Sequence, residues 1–385
     1  MKKLFFIAAI ASAALVSCTK NELAPSVTEQ QEISFAAPVM SPTTKVAEIA
    51  NNYPKDADSK FAVWAYYYDD ETDGGEYTDF DDGEIYMNEV VVKYNETLKG
   101  WRPESKSYYW PKNGSLTFIA YSPSSVAAYA DVDEKGINFT EYVVDTDVAK
   151  QTDLLFSERA YDKVEVDQAT SAADPYAGVQ INFKHALSSI LFKVKAAETY
   201  TGTTLTVTKI EVLNAYSQGD FTQGLADSNG AVTGATVEGV ETKAVWSDYE
   251  AETTYVAYEN ATGLALTNAA VYAHNGTATK TDNTTDLILL PQDLTHSDSD
   301  PATPDKEVSI RVTYTLENTD MTDAITQVAT VSLANGFKVG ETVIDAWEIG
   351  KRYTYTISVG LGEIYFDPLV EAWDNNVVTP DVSVN

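Results

Sequence analysis

The chain has 385 residues, 44% of them hydrophobic, so it is long enough for two or three domains, and wholesale disorder is excluded. It carries 58 acidic against 26 basic residues, a formal net charge of −32 that repels phosphates, and we therefore expect no nucleic-acid partner. The 24 Tyr and 13 Phe residues favour strands, and the single Cys excludes an intramolecular disulfide and a cysteine-rich zinc site.

The N-terminus predicts export. Two lysines precede an apolar run, residues 4–16, which is too short for a bilayer span of about 20 residues and typical of a secretory signal peptide. The run ends in Leu-Val-Ser-Cys18, which resembles the lipobox of bacterial lipoproteins. The resemblance implies a lipoprotein signal peptide at residues 1–17 and a lipid on Cys18, a diacylglyceryl group with acyl chains such as palmitate. The alternative is a chance cysteine near an ordinary cleavage site.

Residues 18–45 form a polar tether with one short apolar alternation, Ile33-Ser34-Phe35, which predicts a single strand. Beyond the tether, strand-like runs recur, most with period-2 alternation, whereas no 12-residue window has a convincing helical period. The fold class predicted is therefore all-β and sandwich-like. The runs cover residues 60–68, 85–94, 115–121, 152–156, 179–183, 188–194, 205–213, 253–256, 269–272, 287–290, 308–316, 328–333 and 352–359.

The clearest internal boundary lies at residues 167–178, where the sequence has no buried pattern. We place one β-sandwich domain at residues 46–177 and a second at residues 178–385, sizes that suit such domains.

Motifs for catalysis are absent from the sequence. His185, His274 and His296 form no metal-binding pattern, and neither a G-x-S-x-G elbow nor a phosphate-binding loop occurs. We expect His185 to be packed and hydrogen-bonded, and the other two histidines to lie in solvated turns. The prediction is a protein that is not an enzyme and has no cofactor and no metal.

The acidic segment at residues 69–84 resembles a calcium loop only in part. Counted from Asp69, acids and Gly74 fit the first six positions of an EF-hand, but Phe80 stands where a bidentate carboxylate is needed. A solvated, self-repelling loop is favoured over a calcium site. The same segment could hold a glycosidase carboxylate pair, which sequence alone does not reveal.

Two aromatic groups, residues 66–68 and 108–110, could stack on sugar rings. Core packing is the alternative, because neighbouring residues of a strand face opposite sides, and we expect Trp110 in the core and the tyrosines divided.

Several segments together resemble the fimbrillin family of Bacteroidales lipoproteins, which are subunits of pili. Their order and spacing along the chain carry the resemblance. The segments are Cys18 with its lipobox, Phe-Ala-Val-Trp-Ala-Tyr at 61–66, Tyr-Met-Asn at 86–88, Tyr-Trp-Pro at 109–111, Leu-Thr-Phe-Ile-Ala-Tyr-Ser-Pro at 116–123, Thr-Asp-Leu-Leu at 152–155, Phe-Lys-His-Ala-Leu-Ser at 183–188, Leu-Pro-Gln at 290–292 and Val-Glu-Ala-Trp at 370–373.

The resemblance implies two transthyretin-like antiparallel β-sandwich domains and a polymer built by strand donation. A protease would remove the N-terminal segment with its first strand, here residues 32–39 with Ile33 and Phe35. The candidate cleavage lies between Lys45 and Val46. Family members cut after arginine would show one in this region, but no Arg precedes Arg102, so a solvated loop lysine is an equal alternative.

The candidate donor strand is the tail after Trp373, in which Val378, Val382 and Val384 lie on one face of an extended strand. Two prolines, Pro368 and Pro380, interrupt this part of the chain.

The resemblance also implies localisation and partners: an outer-membrane lipoprotein precursor that becomes part of a cell-surface fimbria, contacts neighbouring pilus subunits and contributes to cell adhesion. The membrane is a partner through the lipid before processing, and a glycan or protein receptor is a further candidate. Two alternatives stay open, a minor tip or anchor subunit and a surface carbohydrate-binding lipoprotein.

Overall fold

The computed structural model describes residues 31–37, 53–69, 83–133, 136–165, 178–226, 232–233, 242–274, 286–295, 307–334, 336–339, 342–362 and 364–373. Within these ranges the chain forms strands and two short 3-10 helices, Ser124–Val126 and Val148–Lys150, and no α-helix. The all-β prediction is confirmed, and the sheets pack into sandwich-like domains.

The strands reach 12 residues in the first half of the chain and include two of 24 residues in the second half. In chain order they are β1 (Phe35–Ala36), β2 (Lys60–Tyr68), β3 (Glu84–Asn95), β4 (Gly100–Pro103), β5 (Ser115–Ser122), β6 (Ala130–Asp133), β7 (Gly136–Val143), β8 (Leu155–Ser157), β9 (Ala160–Lys163), β10 (Val179–Gln180), β11 (Phe183–His185), β12 (Ser188–Ala196), β13 (Thr203–Ala226), β14 (Val232–Thr233), β15 (Thr242–Ala265), β16 (Val271–Tyr272), β17 (Leu287–Leu289), β18 (Ser309–Asn318), β19 (Ile325–Ser332), β20 (Phe337–Val339), β21 (Thr342–Ile344), β22 (Lys351–Val359) and β23 (Ile364–Ala372).

The first sheet has nine strands in the order β10-β1-β4-β3-β2-β5-β8-β11, with β9 also paired to β5. Alternate residues of β2 point to opposite sides of the sheet, and residues on both sides are buried. Phe61 and Val63 enter one hydrophobic cluster, which we call the first core, and Ala62 and Trp64 enter a larger second core. The first sheet therefore separates two apolar interiors.

Two further sheets surround the second core. A five-stranded sheet has the order β16-β12-β22-β23, with β17 paired to β12, and a seven-stranded sheet has the order β19-β18-β13-β7-β6, with β14 and β15 paired to β13. β20 and β21 form a separate hairpin.

Hydrogen bonding runs across the predicted boundary between residues 177 and 178. β10 pairs with β1, β11 pairs with β8, and β13 pairs with β7 as well as with β18. The division into domains at 46–177 and 178–385 stays a prediction.

Two details differ from the sequence-based expectations. Pro368, expected to interrupt the chain, lies inside β23 opposite Tyr355, which is tolerated because β23 is an edge strand. His274, expected in a solvated turn, is half-buried beside β16, and its Nδ1 atom is buried without a hydrogen-bond partner among the described atoms. The pairing of β16 with β12 brings it inward.

Candidate functional site

Residues 31–37, which we call the N-terminal ribbon, lie within the first sheet and have neighbours on both sides. Phe35 pairs with Trp101 of β4 in an antiparallel sense and with Val179 of β10 in a parallel sense. Four backbone hydrogen bonds outside the regular ladder add to this pairing. They run from Ile33 N–H to the Tyr108 carbonyl (2.8 Å), from Trp110 N–H to the Gln31 carbonyl (3.1 Å), from Val179 N–H to the Ser34 carbonyl (2.8 Å) and from Ile181 N–H to the Ala36 carbonyl (2.8 Å).

Alternate side chains of the ribbon point into the first core. Ile33, Phe35 and Ala37 are all 0% exposed. The Phe35 ring meets Phe118 and Phe61 edge-on, with ring centroids 5.5 and 6.1 Å apart. Full burial of an isoleucine or phenylalanine side chain stabilises a fold by roughly 1.5–3 kcal/mol each, so these two residues contribute strongly to holding the ribbon in place.

The polar end of the ribbon is Glu32. The Arg102 guanidinium, on β4, donates from Nη1 to Glu32 Oε2 at 2.6 Å, and the Ser107 hydroxyl donates to Glu32 Oε1. The two charged side chains are 21% and 29% exposed, which makes this ion pair partly desolvated. A charge-assisted bond in such a setting fixes the register of the ribbon as well as stabilising it.

A glycine allows the ribbon to lie against β10. Gly178 has φ of +121°, and a Cβ atom there would lie 2.6 Å from the Phe35 carbonyl carbon. Any side chain at residue 178 would therefore displace the ribbon or bend its neighbour.

Tyr53 is buried in the same core as the ribbon. Its ring meets Trp101 with centroids 4.9 Å apart and stacks on Phe183 at 5.4 Å, and its hydroxyl hydrogen-bonds the Ser122 hydroxyl at 2.5 Å. Burial raises the pKa of Tyr53 to about 12, because the phenolate would be poorly solvated there.

Lys45 and Val46, the candidate cleavage residues, lie outside the described residues. They belong to the connection between Ala37 and Tyr53, both of which are buried. Cys18 and the candidate donor residues Val378, Val382 and Val384 also lie outside the described residues.

Trp373 immediately precedes the candidate donor tail and is 2% exposed. The Trp373 indole stacks on the His185 imidazole with centroids 3.9 Å apart, and the backbone N–H of Trp373 donates to the Gly350 carbonyl at 3.0 Å. His185 Nδ1 lies 3.0 Å from Asp153 Oδ1. The expectation of a packed, hydrogen-bonded His185 is confirmed, and the root of the tail is fixed in the second core.

The aromatic groups divide as expected. Trp110, Tyr66 and Tyr68 are buried, Tyr67 is half-buried and Tyr109 is 46% exposed. Most of these rings therefore pack in the interior and are not available for stacking on a sugar.

Most of the acidic segment, residues 70–82, lies outside the described residues, as does His296. In the part of the chain that the structure describes, no group of three or more His, Cys, Asp or Glu side chains is placed to hold a metal ion. No helix in the same part is long and apolar enough to cross a membrane.

Sequence reasoning missed three residues of this site: Arg102, Ser107 and Gly178. Glu32 and Arg102 are 70 positions apart, and no local pattern links an acid to a cation at that distance. The only usable signal was the glycine directly before the predicted strand at residues 179–183, since a glycine there can mark a close backbone approach.

Three solved structures are similar to this chain to different degrees. A fimbrial protein from Bacteroides vulgatus is 16% identical, with 89% of this chain and 100% of that chain covered and a TM-score of 0.52. A candidate cell adhesion protein from Bacteroides uniformis is 15% identical, with 89% and 98% covered and a TM-score of 0.47. A C-terminally truncated tip fimbrial protein from Porphyromonas gingivalis is 9% identical, with 83% and 95% covered and a TM-score of 0.36.

No curated protein sequence matches the chain. The family described as fimbrillin-like matches residues 44–373, which is most of the chain. The region matched begins just before Val46 and ends at Trp373, the residue at the root of the tail. The chain belongs to the fimbrillin-like family.

Proposed function

We propose that this protein is a structural subunit of a cell-surface fimbria that polymerises by strand donation and contributes to cell adhesion. One observation carries the proposal: the N-terminal ribbon fills the first core and pairs on both sides, yet it is joined to the rest of the domain only through residues 38–52, the segment with Lys45. Cutting that connection makes the ribbon a separate peptide, which can then leave without breaking any other strand of the first sheet.

Loss of the ribbon would open a groove between β4 and β10. The carbonyl of Tyr108 and the N–H groups of Trp110, Val179 and Ile181 would lose their partners, and the sites of Ile33 and Phe35 would face water. Unpaired strand edges and uncovered apolar troughs are both relieved when an extended peptide adds to the sheet. The tail of a neighbouring subunit, with Val378, Val382 and Val384 on one face, supplies such a peptide.

In this proposal the precursor is exported by its signal peptide, carries lipid on Cys18 at the outer membrane and is cut between Lys45 and Val46. The cut separates the lipid and the ribbon from the subunit together, and departure of the ribbon then releases the subunit from the membrane and opens the groove. The partners are neighbouring subunits, with a glycan or protein receptor as a further partner in adhesion.

Deletion of residues 377–385 tests the proposal. We expect a folded, exported subunit that forms no filaments, because the groove of each subunit then has no donor. Electron microscopy of surface material reports the filaments, and circular dichroism of the purified chain reports folding. Filaments of normal length from this deletion would refute strand donation by the tail.

N-terminal sequencing of surface material separates a shaft subunit from an anchor. A start at Val46 supports a polymerised subunit, whereas a blocked, lipidated Cys18 supports an anchor or a surface-bound binding protein.

A further inference from the structure

The C-terminal tail has the same order of residue types as the N-terminal ribbon. Residues 32–36 are Glu-Ile-Ser-Phe-Ala, and residues 381–385 are Asp-Val-Ser-Val-Asn. Both segments place an acid, a β-branched apolar residue, a serine and a second apolar residue in the same order. The order matters because the structure gives each of these ribbon positions a different environment.

We propose that the tail of a second copy of this chain enters the groove in the same direction as the ribbon, with Asp381 at the position of Glu32. Val382 then takes the site of Ile33, Ser383 that of Ser34 and Val384 that of Phe35. This inference rests on the proposed function and adds the partner residue, the direction and the register.

Charge is the first argument for this register. Removal of the ribbon takes away Glu32, the carboxylate that accepts from Arg102 at 2.6 Å and from Ser107. The cross-strand neighbour of Arg102 is another cation, Lys93, which bonds Glu104 at 3.0 Å. A partly buried guanidinium beside a second cation favours an incoming acid. Asp381 is the acid of the tail that directly precedes an apolar alternation.

The proline of the tail is the second argument. In this register Pro380 takes the place of Gln31, whose hydrogen bond to Trp110 N–H uses its carbonyl oxygen. Proline keeps a carbonyl oxygen and lacks only the N–H. Val382 retains the N–H that Ile33 donates to the Tyr108 carbonyl. The four backbone bonds outside the ladder can therefore all be remade.

Registers shifted by two residues lose these contacts. With Val382 at the site of Phe35, Pro380 falls at the site of Ile33 and cannot donate to Tyr108, and Asp381 falls at the site of Ser34, which is only 5% exposed. With Val384 at the site of Ile33, Ser383 takes the place of the acid opposite Arg102, which then has no carboxylate partner there.

The tail fills the groove less completely than the ribbon does. The Phe35 ring contacts Phe61 and Phe118, and a valine at that site leaves part of the space empty. An intact ribbon therefore outcompetes the tail of a neighbour, and donation follows only after the ribbon has been cut free. The weaker fit keeps precursors from polymerising early.

The test uses the full chain with a specific protease site inserted between Lys45 and Val46. After cleavage, the ribbon fragment is released in urea, and the protein is diluted, at a concentration too low for self-association, into a fluorescent peptide of residues 374–385. Fluorescence polarisation measures the peptide Kd. We expect Asp381→Asn in the peptide to raise the Kd about tenfold, as loss of one charge-assisted bond does, and Asp374→Asn to leave it unchanged.

Two further peptides test the register through shape and charge. Val384→Phe fills the site of the Phe35 ring and is expected to lower the Kd about tenfold, whereas Val377→Phe, outside the register, leaves it unchanged. A protein with Arg102→Glu is expected to prefer the Asp381→Lys peptide over the unchanged one.

The outcomes distinguish a wrong register from a failure of strand donation itself. Equal Kd values for Asp381→Asn and Asp374→Asn, or no gain from Val384→Phe, would overturn the register and leave strand donation standing. Failure of the unchanged peptide to bind the ribbon-free protein would overturn the register and the proposed function together.

Discussion

The N-terminal ribbon and β23 lie near opposite ends of the described chain and are held in different ways. The ribbon contributes only two residues to a regular strand, but Ile33 and Phe35 are 0% exposed. β23 pairs with β22 through nine residues, and its outward side chains Tyr365 and Leu369 are 57% and 44% exposed. The apolar side chains of the ribbon are fully buried, whereas β23 has a nine-residue ladder and its inward side chains, Ile364, Phe366 and Val370, are only partly buried against the second core. Departure of the ribbon would therefore leave an apolar groove.

The largest expected effect is on the free energy of unfolding, and a pair of alanine substitutions measures it. Phe35→Ala is expected to lower the free energy of unfolding of the precursor by about 3–5 kcal/mol, because it empties a closed site in the first core. Leu369→Ala, on β23, is expected to cost about 0.5 kcal/mol or less, because Leu369 is an exposed side chain. Urea denaturation measures both. Equal losses would contradict a ribbon held by its side chains.

The second test uses the alkaline pH dependence of Tyr53, which packs with the neighbours of the ribbon. Burial raises its folded-state pKa from 10.0 to about 12. A raised pKa contributes stability that is fully present below pH 10 and is lost as the pH rises to about 12, roughly 2–3 kcal/mol in all. Between pH 10 and 12 the free energy of unfolding should therefore fall less in Tyr53→Phe than in the unchanged chain, by roughly 2–3 kcal/mol.

The control compares the same two proteins between pH 7 and 9, below the ordinary tyrosine pKa of 10.0, where their free energies of unfolding should change in parallel. A Tyr53→Phe protein that stays parallel to the unchanged chain up to pH 12 would show that Tyr53 is not buried beside the ribbon.

A third test concerns the close contact between the backbone at Gly178 and the backbone of the ribbon at Phe35. Gly178→Ala is expected to cost about 1–3 kcal/mol, because it combines a φ of +121° with a Cβ 2.6 Å from Phe35. Gly362→Ala, just before β23, is the matched control, since no atom lies within 4 Å of a Cβ there. Hydrogen exchange at the ribbon amides should quicken in the first variant only. Unchanged exchange in Gly178→Ala would mean that the ribbon does not depend on this contact.

The smallest effect is expected at the ion pair. Glu32→Gln should lower the free energy of unfolding by about 1 kcal/mol, because Arg102 and Ser107 both bond this carboxylate. This is the upper end of the range for exposed ion pairs, and the Glu32–Arg102 pair is only partly exposed. Glu96→Gln, which breaks the exposed pair with Lys99, should cost less than Glu32→Gln does. A larger loss for Glu96→Gln would reverse the ranking that the two environments predict.

The sequence was a good guide where strands alternate and are buried. The predicted runs at 60–68, 85–94 and 352–359 match β2, β3 and β22 within one residue at either end, because buried strands have strong patterns. It was a poor guide to β13 and β15, which are 24 residues each, where only 205–213 and 253–256 were predicted. Much of their length is polar and partly exposed, so its alternation is weak.

The candidate site was also predicted only in part from the sequence. The Ile33-Ser34-Phe35 alternation pointed to the ribbon because apolar spacing is a local property. Its neighbours were not predictable, because the pairing of the ribbon with β4 and β10 joins residues that are about 70 and 140 positions apart. Long-range pairing of this kind is set by the whole fold and not by local sequence.

The most direct measurement is an electron density map of the assembled filament at side-chain resolution. Our account predicts that the strand between β4 and β10 of each subunit is residues 381–385 of its neighbour, with Asp381 against Arg102. A map in which Ile33 and Phe35 of the same chain still fill that position would contradict it.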